Sequence, residues 1–159
     1  MKRTLITLLS VILTVTAFLS CKQPVKENAF DPVLVEKEIV QKYTALNCQV
    51  GNTTPDFWGT YFLNHPNIGN IYDNNVKLGW ETYYKGIQKF LSQPVNEIIS
   101  FYDLHAHPIN AELAWVDGKY KIEKGDGTVE IAIFYDTLIK TEIGWKVIVS
   151  VVDTGEEKQ

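Results

Sequence analysis

Four stretches of the chain decide the fold: EIISFYDLHAHPI (97–109), ELAWVDGKYKIE (112–123), TVEIAIFYDTLIK (128–140) and WKVIVSVVD (145–153). Each is rich in the β-branched and aromatic residues that favour strands. Glycine and aspartate residues separate the stretches or mark bulges. The pattern predicts four long strands, and long strands joined in series form an antiparallel sheet.

The residues before Pro94 have helical periodicity instead. Two segments carry apolar residues three or four positions apart, which predicts an amphipathic helix in each. Between them, Thr54, Pro55 and Asp56 form an N-terminal capping signal that opens a short aromatic helix. The periodic residues are Val35, Ile39, Tyr43 and Leu46 in the first helix and Trp80, Tyr84, Ile87 and Leu91 in the third.

A small hairpin is predicted between the second and third helices. Asp73, Asn74 and Asn75 have turn chemistry, and residues 68–72 and 76–78 flank them as short strands. Helices that precede the strands, rather than alternating with them, define the α+β class. We therefore expect a cone-shaped α+β fold, in which three N-terminal helices pack on a strongly curved antiparallel sheet around a cavity.

The first twenty residues have the pattern of a secretory signal. Lys2 and Arg3 precede an uncharged apolar run, and Ser20 and Cys21 follow that run. This order resembles the lipobox of bacterial lipoproteins, which implies acylation of Cys21 and attachment to a lipid bilayer. A membrane anchor or an ordinary cleaved signal is the alternative.

The predicted organisation has four parts: a signal peptide at 1–20, a tether at 21–32, a domain at 33–153 and a flexible tail at 154–159. Lys22 after the cysteine resembles outer-membrane sorting, so we expect a lipid-anchored envelope protein on the outer membrane, facing the periplasm.

The charge balance excludes one class of partner. Nineteen acidic residues outnumber fifteen basic ones, for a net charge of −4. Nucleic-acid binding requires a basic surface, so no nucleic-acid partner is expected. Cys48 is the other of the two cysteines, and it is interpreted as a small buried residue, with a reactive thiol or an intermolecular bridge as the alternatives.

Three tryptophan motifs resemble the nuclear transport factor 2-like superfamily, in particular its SnoaL-like (polyketide cyclase-like) branch. They are Gly79-Trp80-Glu81, Ala114-Trp115-Val116 and Gly144-Trp145-Lys146-Val147. The resemblance covers about residues 33–153. It implies a cone-shaped domain with a pocket, often dimeric, so a homodimer through the sheet is expected. That superfamily contains isomerases, dehydratases, cyclases, ligand binders and interaction modules, so the resemblance does not decide the function.

A local likeness to ketosteroid isomerase suggests catalytic candidates. Residues 39–43 resemble the segment that ends in the oxyanion-hole tyrosine of that enzyme, which would be Tyr43. Asp136 matches its protonated aspartic acid, and Asp73 lies near the place of its general base. A tyrosine and a neutral acid could both donate hydrogen bonds to an enolate oxygen. The alternatives are a turn role for Asp73, a core position for Tyr43 and an outward-facing Asp136.

His105 and His107 form the other candidate pair, because alternate residues of a strand share one face. They could chelate a metal ion with a third ligand such as Glu112, or His105 could act as a base in the pocket. Exposed or core-satisfied histidines are the remaining interpretation. Of these, we take His105 as a catalytic candidate and His107 as a pocket residue, with no metal ion expected.

Most of the aromatic residues are interpreted as parts of the hydrophobic core. A few of them on a cavity wall would suit a small apolar or amphipathic ligand, and we expect such binding. The alternatives are an acid–base isomerase or dehydratase, and a dimerising module without a ligand. No nucleotide or nucleophile motif is visible, so no cofactor is expected. The predicted lining residues are Trp58, Tyr61, Trp80, Tyr84, His107, Trp115 and Tyr135.

Overall fold

The computed structural model describes residues 30–155. The predicted signal peptide, Cys21, most of the predicted tether and the end of the predicted tail lie outside this range. No helix within residues 30–155 combines the length and the apolar character that crossing a bilayer requires.

Three helices precede the long strands. Helix α1 spans Pro32–Thr44, and the Asp31 side chain caps it by accepting hydrogen bonds from two backbone N–H groups at 3.0 and 3.3 Å. Helix α2 spans Pro55–Gly59 and helix α3 spans Trp80–Leu91. Ile39 and Tyr43 are buried on one face of α1, as the apolar periodicity predicts.

Helix α2 ends at Gly59, before the aromatic residues Tyr61 and Phe62. The chain leaves the helix after Gly59 because the next residues pair with the last strand instead. The Val147 N–H donates to the Tyr61 carbonyl at 3.0 Å, and the Leu63 N–H donates to the Val147 carbonyl at 2.9 Å. These bonds fix Tyr61 and Phe62 against the sheet, where both side chains are buried.

Seven strands form one sheet, and the four predicted long strands are among them. The strands are β1 Cys48–Gln49, β2 Gly69–Tyr72, β3 Asn75–Leu78, β4 Glu97–Pro108, β5 Leu113–Lys124, β6 Val129–Thr141 and β7 Gly144–Asp153. Their order in the sheet is β1-β4-β5-β6-β7-β2-β3. Strand β1, with two residues, and a 3₁₀ helix at Val50–Asn52 are too short for sequence periodicity to predict.

The prediction of a purely antiparallel sheet is wrong, because the curved sheet is mixed. Strand β2 pairs in parallel with β7, from Gly69 opposite Val149 to Tyr72 opposite Val152. The pairing of β2 with β7 thereby satisfies backbone groups of both strands that would otherwise lack hydrogen-bond partners. The predicted α+β class and the three helices are confirmed.

Two register shifts interrupt the sheet. One lies between Tyr102 and His105, where Asp103 has a positive φ of 54°, and the other follows Thr137. Such bulges bend a strand and increase its twist. On the inner face of β6, Phe134 and Leu138 join the hydrophobic core.

Candidate functional site

A cavity with a volume of about 410 Å³ lies between the sheet and helices α2 and α3. Aromatic side chains dominate its walls, and aliphatic side chains fill the space between them. Three charged side chains, Glu97, Lys124 and Glu130, also contribute to the lining. The main aromatic lining residues are Tyr61, Phe62, Tyr72, Phe101, Tyr120 and Phe134.

Strand alternation explains why the charged residues reach the cavity. Tyr120, Ile122 and Lys124 occupy alternate positions of β5, and all three line the cavity. Glu97 is the ladder partner of Lys124, so it joins the lining at the first residue of β4. Side chains alternate between the two faces of a strand, so every second residue from an inward-facing one also faces inward.

A buried carboxylate lies behind one wall of the cavity. Asp136 is 1% exposed, and its Oδ2 accepts a hydrogen bond from the Tyr43 hydroxyl at 2.5 Å. The Tyr61 hydroxyl donates to the same oxygen. The Asp136 Oδ1 atom has no hydrogen-bond partner among the described residues. Tyr61 and Ser150, the ladder partner of Asp136, line the cavity, whereas Tyr43 and Asp136 do not.

Burial controls the protonation of this centre. Burial raises the pKa of Asp136, and the hydroxyl groups of Ser150, Tyr43 and Tyr61 oppose that increase. Burial and the neighbouring Asp136 carboxylate also raise the pKa values of Tyr43 and Tyr61. Both tyrosines therefore stay protonated at neutral pH and remain hydrogen-bond donors.

Lys42 completes the surroundings of the carboxylate. Its Nζ atom lies 4.6 Å from the centroid of the Tyr61 ring, within the range of a cation–π contact. Burial and the positive charge of Lys146 lower the pKa of Lys42 to about 8, although Asp136 acts in the opposite direction. Lys146 itself donates to the Thr60 carbonyl.

This arrangement limits the chemistry that the tyrosines can perform. The structure brings Tyr43 and Asp136 together, but they bond to each other rather than face a shared open space. Both tyrosine protons are directed at the Asp136 Oδ2 atom, so neither is available to a ligand oxygen. An oxyanion hole requires donors aimed at the reacting oxygen.

Asp73 has a structural environment. It lies in the β2–β3 turn with a positive φ of 43°. Its two carboxylate oxygens accept hydrogen bonds from the Thr154 N–H and hydroxyl groups, each at 2.9 Å. The side chain is not among those that line the cavity. Asp73 is therefore not brought together with Tyr43 and Asp136.

His105 and His107 lie on the outer face of the sheet, which corrects their predicted places in the pocket. Asp117 on β5 lies between them, 3.2 Å from His105 Nδ1 and 2.8 Å from His107 Nε2. The His107 ring stacks on Trp115, with centroids 3.7 Å apart. Among residues 30–155, no group of three or more histidine, cysteine or acidic side chains could hold a metal ion.

The predicted aromatic lining is distributed over three locations. Trp58 and Tyr61 line the cavity. Trp80 and Tyr84 lie outside the lining and stack on each other, because both project from the same side of α3. Trp115 and Tyr135 also lie outside it, and their exposed fractions are 39% and 52%. Trp115 and Tyr135 each lie between two buried residues of their strand, so both side chains project from the outer face of the sheet.

The fold and the cavity define a class, an α+β domain with a curved mixed sheet and a cavity large enough for a small molecule. A scan of protein-family models and a search of curated proteins found no match to the sequence. Solved structures do match the fold.

Three of these structures illustrate the fold. A nuclear transport factor 2-like superfamily protein from Salmonella enterica serovar Typhimurium LT2 has a TM-score of 0.61 and 12% identity, over 80% of this chain and 95% of its own. A nuclear transport factor 2-like protein from Pseudomonas putida KT2440 has a TM-score of 0.58 and 14% identity, over 76% and 87%. A protein from Novosphingobium aromaticivorans DSM 12444, named "Putative Scytalone Dehydratase", has a TM-score of 0.58 and 13% identity, over 74% and 80%.

The domain has the nuclear transport factor 2-like fold, as the three tryptophan motifs suggest. At 12–14% identity the likeness extends to the fold alone. The function must therefore be argued from the cavity and from the surface of this chain.

Proposed function

We propose that this domain binds a small, largely apolar ligand in the aromatic cavity. The observation that carries the proposal is the cavity itself, because its volume of about 410 Å³ lies within the usual range for small-molecule sites. Its walls are mainly aromatic and aliphatic, and few polar groups interrupt them. Such a surface gains free energy by exchanging water for an apolar ligand.

A blocking variant tests the proposal. Ile87 lines the cavity from α3, so Ile87→Trp should fill part of the space and reduce binding of the fluorescent probe N-phenyl-1-naphthylamine. Gln88→Trp is the matched control, since the next residue of α3 is exposed and outside the lining. Equal probe affinity in both variants would refute cavity binding.

The enzyme alternative, an isomerase or dehydratase, has less support. A structural neighbour bears the name of a dehydratase, and Asp136 is a buried acid with one oxygen that has no hydrogen-bond partner within residues 30–155. However, Tyr43 and Tyr61 already donate to Asp136, and His105 is on the opposite face of the sheet. We therefore favour binding without chemistry.

The outer face of the sheet supports a second candidate function, formation of a homodimer. Ile131, Ile133 and Tyr135 on β6 are 53%, 44% and 52% exposed, and Trp115 lies on the neighbouring strand. Contiguous exposed apolar surface of this kind is typical of interfaces. Tyr135→Lys should shift the protein from dimer to monomer in sedimentation velocity, whereas Val76→Lys on the exposed hairpin should not.

The leader supports the further proposal that Cys21 is acylated and that the domain is held on the outer membrane, facing the periplasm. Cys21→Ala should release the protein from the membrane fraction or block its processing, because the buried acyl chains supply the attachment and Cys21 is the residue exposed by cleavage. Cys48→Ala is the matched control, since Cys48 belongs to β1 of the domain. Unchanged membrane partition of a correctly cleaved Cys21→Ala protein would rule out the lipid anchor.

A further inference from the structure

Negative charges outnumber positive charges among the side chains at one end of the cavity. Glu97 and Lys124 face each other at the ends of β4 and β5, and Lys124 Nζ forms an ion pair with Glu130. Lys124 is the one cation among the described residues that line the cavity, so its pairing with Glu130 leaves the Glu97 carboxylate in excess.

Asp126 adds a further negative charge at this end. It lies in the β5–β6 turn, and together with Glu97 and Lys124 it lines a depression next to the cavity. Its carboxylate accepts a hydrogen bond from the Thr128 N–H at 2.9 Å, which contributes to lowering the pKa of Asp126. The hydrogen bond with Glu130, and then the charges of Glu130, Glu97 and Asp126, raise the pKa of Lys124. The charges of three carboxylates therefore act on one ammonium group.

The walls of the cavity also favour a positive charge. Tyr72, Phe101 and Tyr120 contribute ring surfaces to the lining, and the Phe101 and Tyr120 ring centroids are 5.7 Å apart. The face of an aromatic ring carries partial negative charge and attracts ammonium groups. Burial raises the pKa values of Tyr72 and Tyr120, so both rings remain neutral at physiological pH.

We infer that the ligand is an organic cation, with an apolar body that occupies the aromatic cavity and an ammonium group directed toward Glu97. This inference rests on the proposed binding function, to which it adds the charge of the ligand. The excess of carboxylates would repel an anion at the same place, and a neutral ligand would gain no attraction between opposite charges there.

Three compounds of matched shape test the charge preference: 2-(2-naphthyl)ethylammonium, 2-(2-naphthyl)ethanol and 2-naphthylacetate. Isothermal titration calorimetry on the full chain measures the affinity of each compound. One additional charge pair near partly exposed side chains should change affinity about fivefold. The ammonium compound should therefore bind about fivefold more tightly than the alcohol, and the carboxylate should bind most weakly.

The Glu97→Gln variant assigns the preference to this end of the cavity. It should reduce the affinity for the ammonium compound about fivefold and leave that for the alcohol within about twofold. Glu123→Gln is the matched control, because Glu123 lies one residue before the inward Lys124 and forms an ion pair with Lys121. It should change neither affinity.

The outcomes separate the two proposals. Equal binding of the three compounds, or preference for the carboxylate, would overturn the cation inference and leave cavity binding intact. An unchanged ammonium preference in Glu97→Gln would also overturn it. Failure of all three compounds to bind would count against the proposed binding function itself.

Discussion

The buried hydroxyl of Tyr43 should stabilise the fold far more than an exposed hydroxyl in the same kind of bond. Tyr43→Phe removes one of the two hydrogen bonds that Asp136 Oδ2 accepts, at a site where both side chains are at most 1% exposed. Hydrogen bonds to charged groups contribute about 1.5–3 kcal/mol, and removing one partner of a buried polar group costs about 1–3 kcal/mol. We therefore expect the free energy of unfolding to fall by about 2 kcal/mol.

Tyr84→Phe supplies a matched control. The Tyr84 hydroxyl donates to Asp56 Oδ1 at 2.5 Å, but this bond is exposed to solvent. Water can replace the lost donor there, so the expected cost is below about 0.5 kcal/mol. Urea unfolding followed by tryptophan fluorescence measures both values, provided that the slope of free energy against urea concentration is unchanged.

The double variant Tyr43→Phe with Tyr61→Phe extends the test. Because both hydroxyls donate to one oxygen atom, the two losses should be non-additive by about 0.5–3 kcal/mol. Equal decreases in the free energy of unfolding for Tyr43→Phe and Tyr84→Phe would refute the argument that burial makes the hydrogen bond to Asp136 more stabilising.

Three further predictions concern stability. Trp145→Ala should cost about 3–5 kcal/mol in urea unfolding, because the ring is 5% exposed; a loss below about 1 kcal/mol would contradict its core position. Since burial raises the pKa of Asp136, its carboxyl favours the fold at low pH, and the stability of the wild type minus that of Asp136→Asn should fall as pH increases above about 4. Gly79→Ala should destabilise the domain, because φ is +84° and the new Cβ would lie 3.1 Å from the Pro66 carbonyl oxygen. Gly86→Ala within α3 should stabilise the domain, because its Cβ would meet open space. Changes in melting temperature of the same sign for both variants would contradict this prediction.

Local patterns predicted most of the secondary structure. Helix α1 and the four long strands have apolar residues spaced at the helix and strand repeats, so their periodicity is visible without a structure. The parallel pairing of β2 with β7 joins residues about eighty positions apart. Because no local pattern encodes such a contact, the mixed sheet required the structure.

The site was less predictable than the fold. Alternation shows that Tyr135 and Asp136 face opposite sides of β6, but it does not show which side is the interior. The lining roles of Glu97, Lys124 and Glu130 were missed, although the inward positions of Phe101 and Tyr120 would have placed Glu97 and Lys124 by alternation. No sequence pattern indicated that Lys42 lies beside the buried carboxylate, because its position depends on a contact with Tyr61 from another segment.

The bulge at Asp103 has a consequence for how copies of this chain can meet. Strand β1 covers β4 at Ile98 and Ile99, and the Asn47 side chain accepts the Phe101 N–H at 2.7 Å. Beyond that point the positive φ of Asp103 breaks the regular spacing of the backbone donors and acceptors. The opposite edge is β3, which has four exposed residues. Within the described residues the sheet thus presents no long regular edge for strand addition, which protects it from the edge-to-edge aggregation that threatens open sheets.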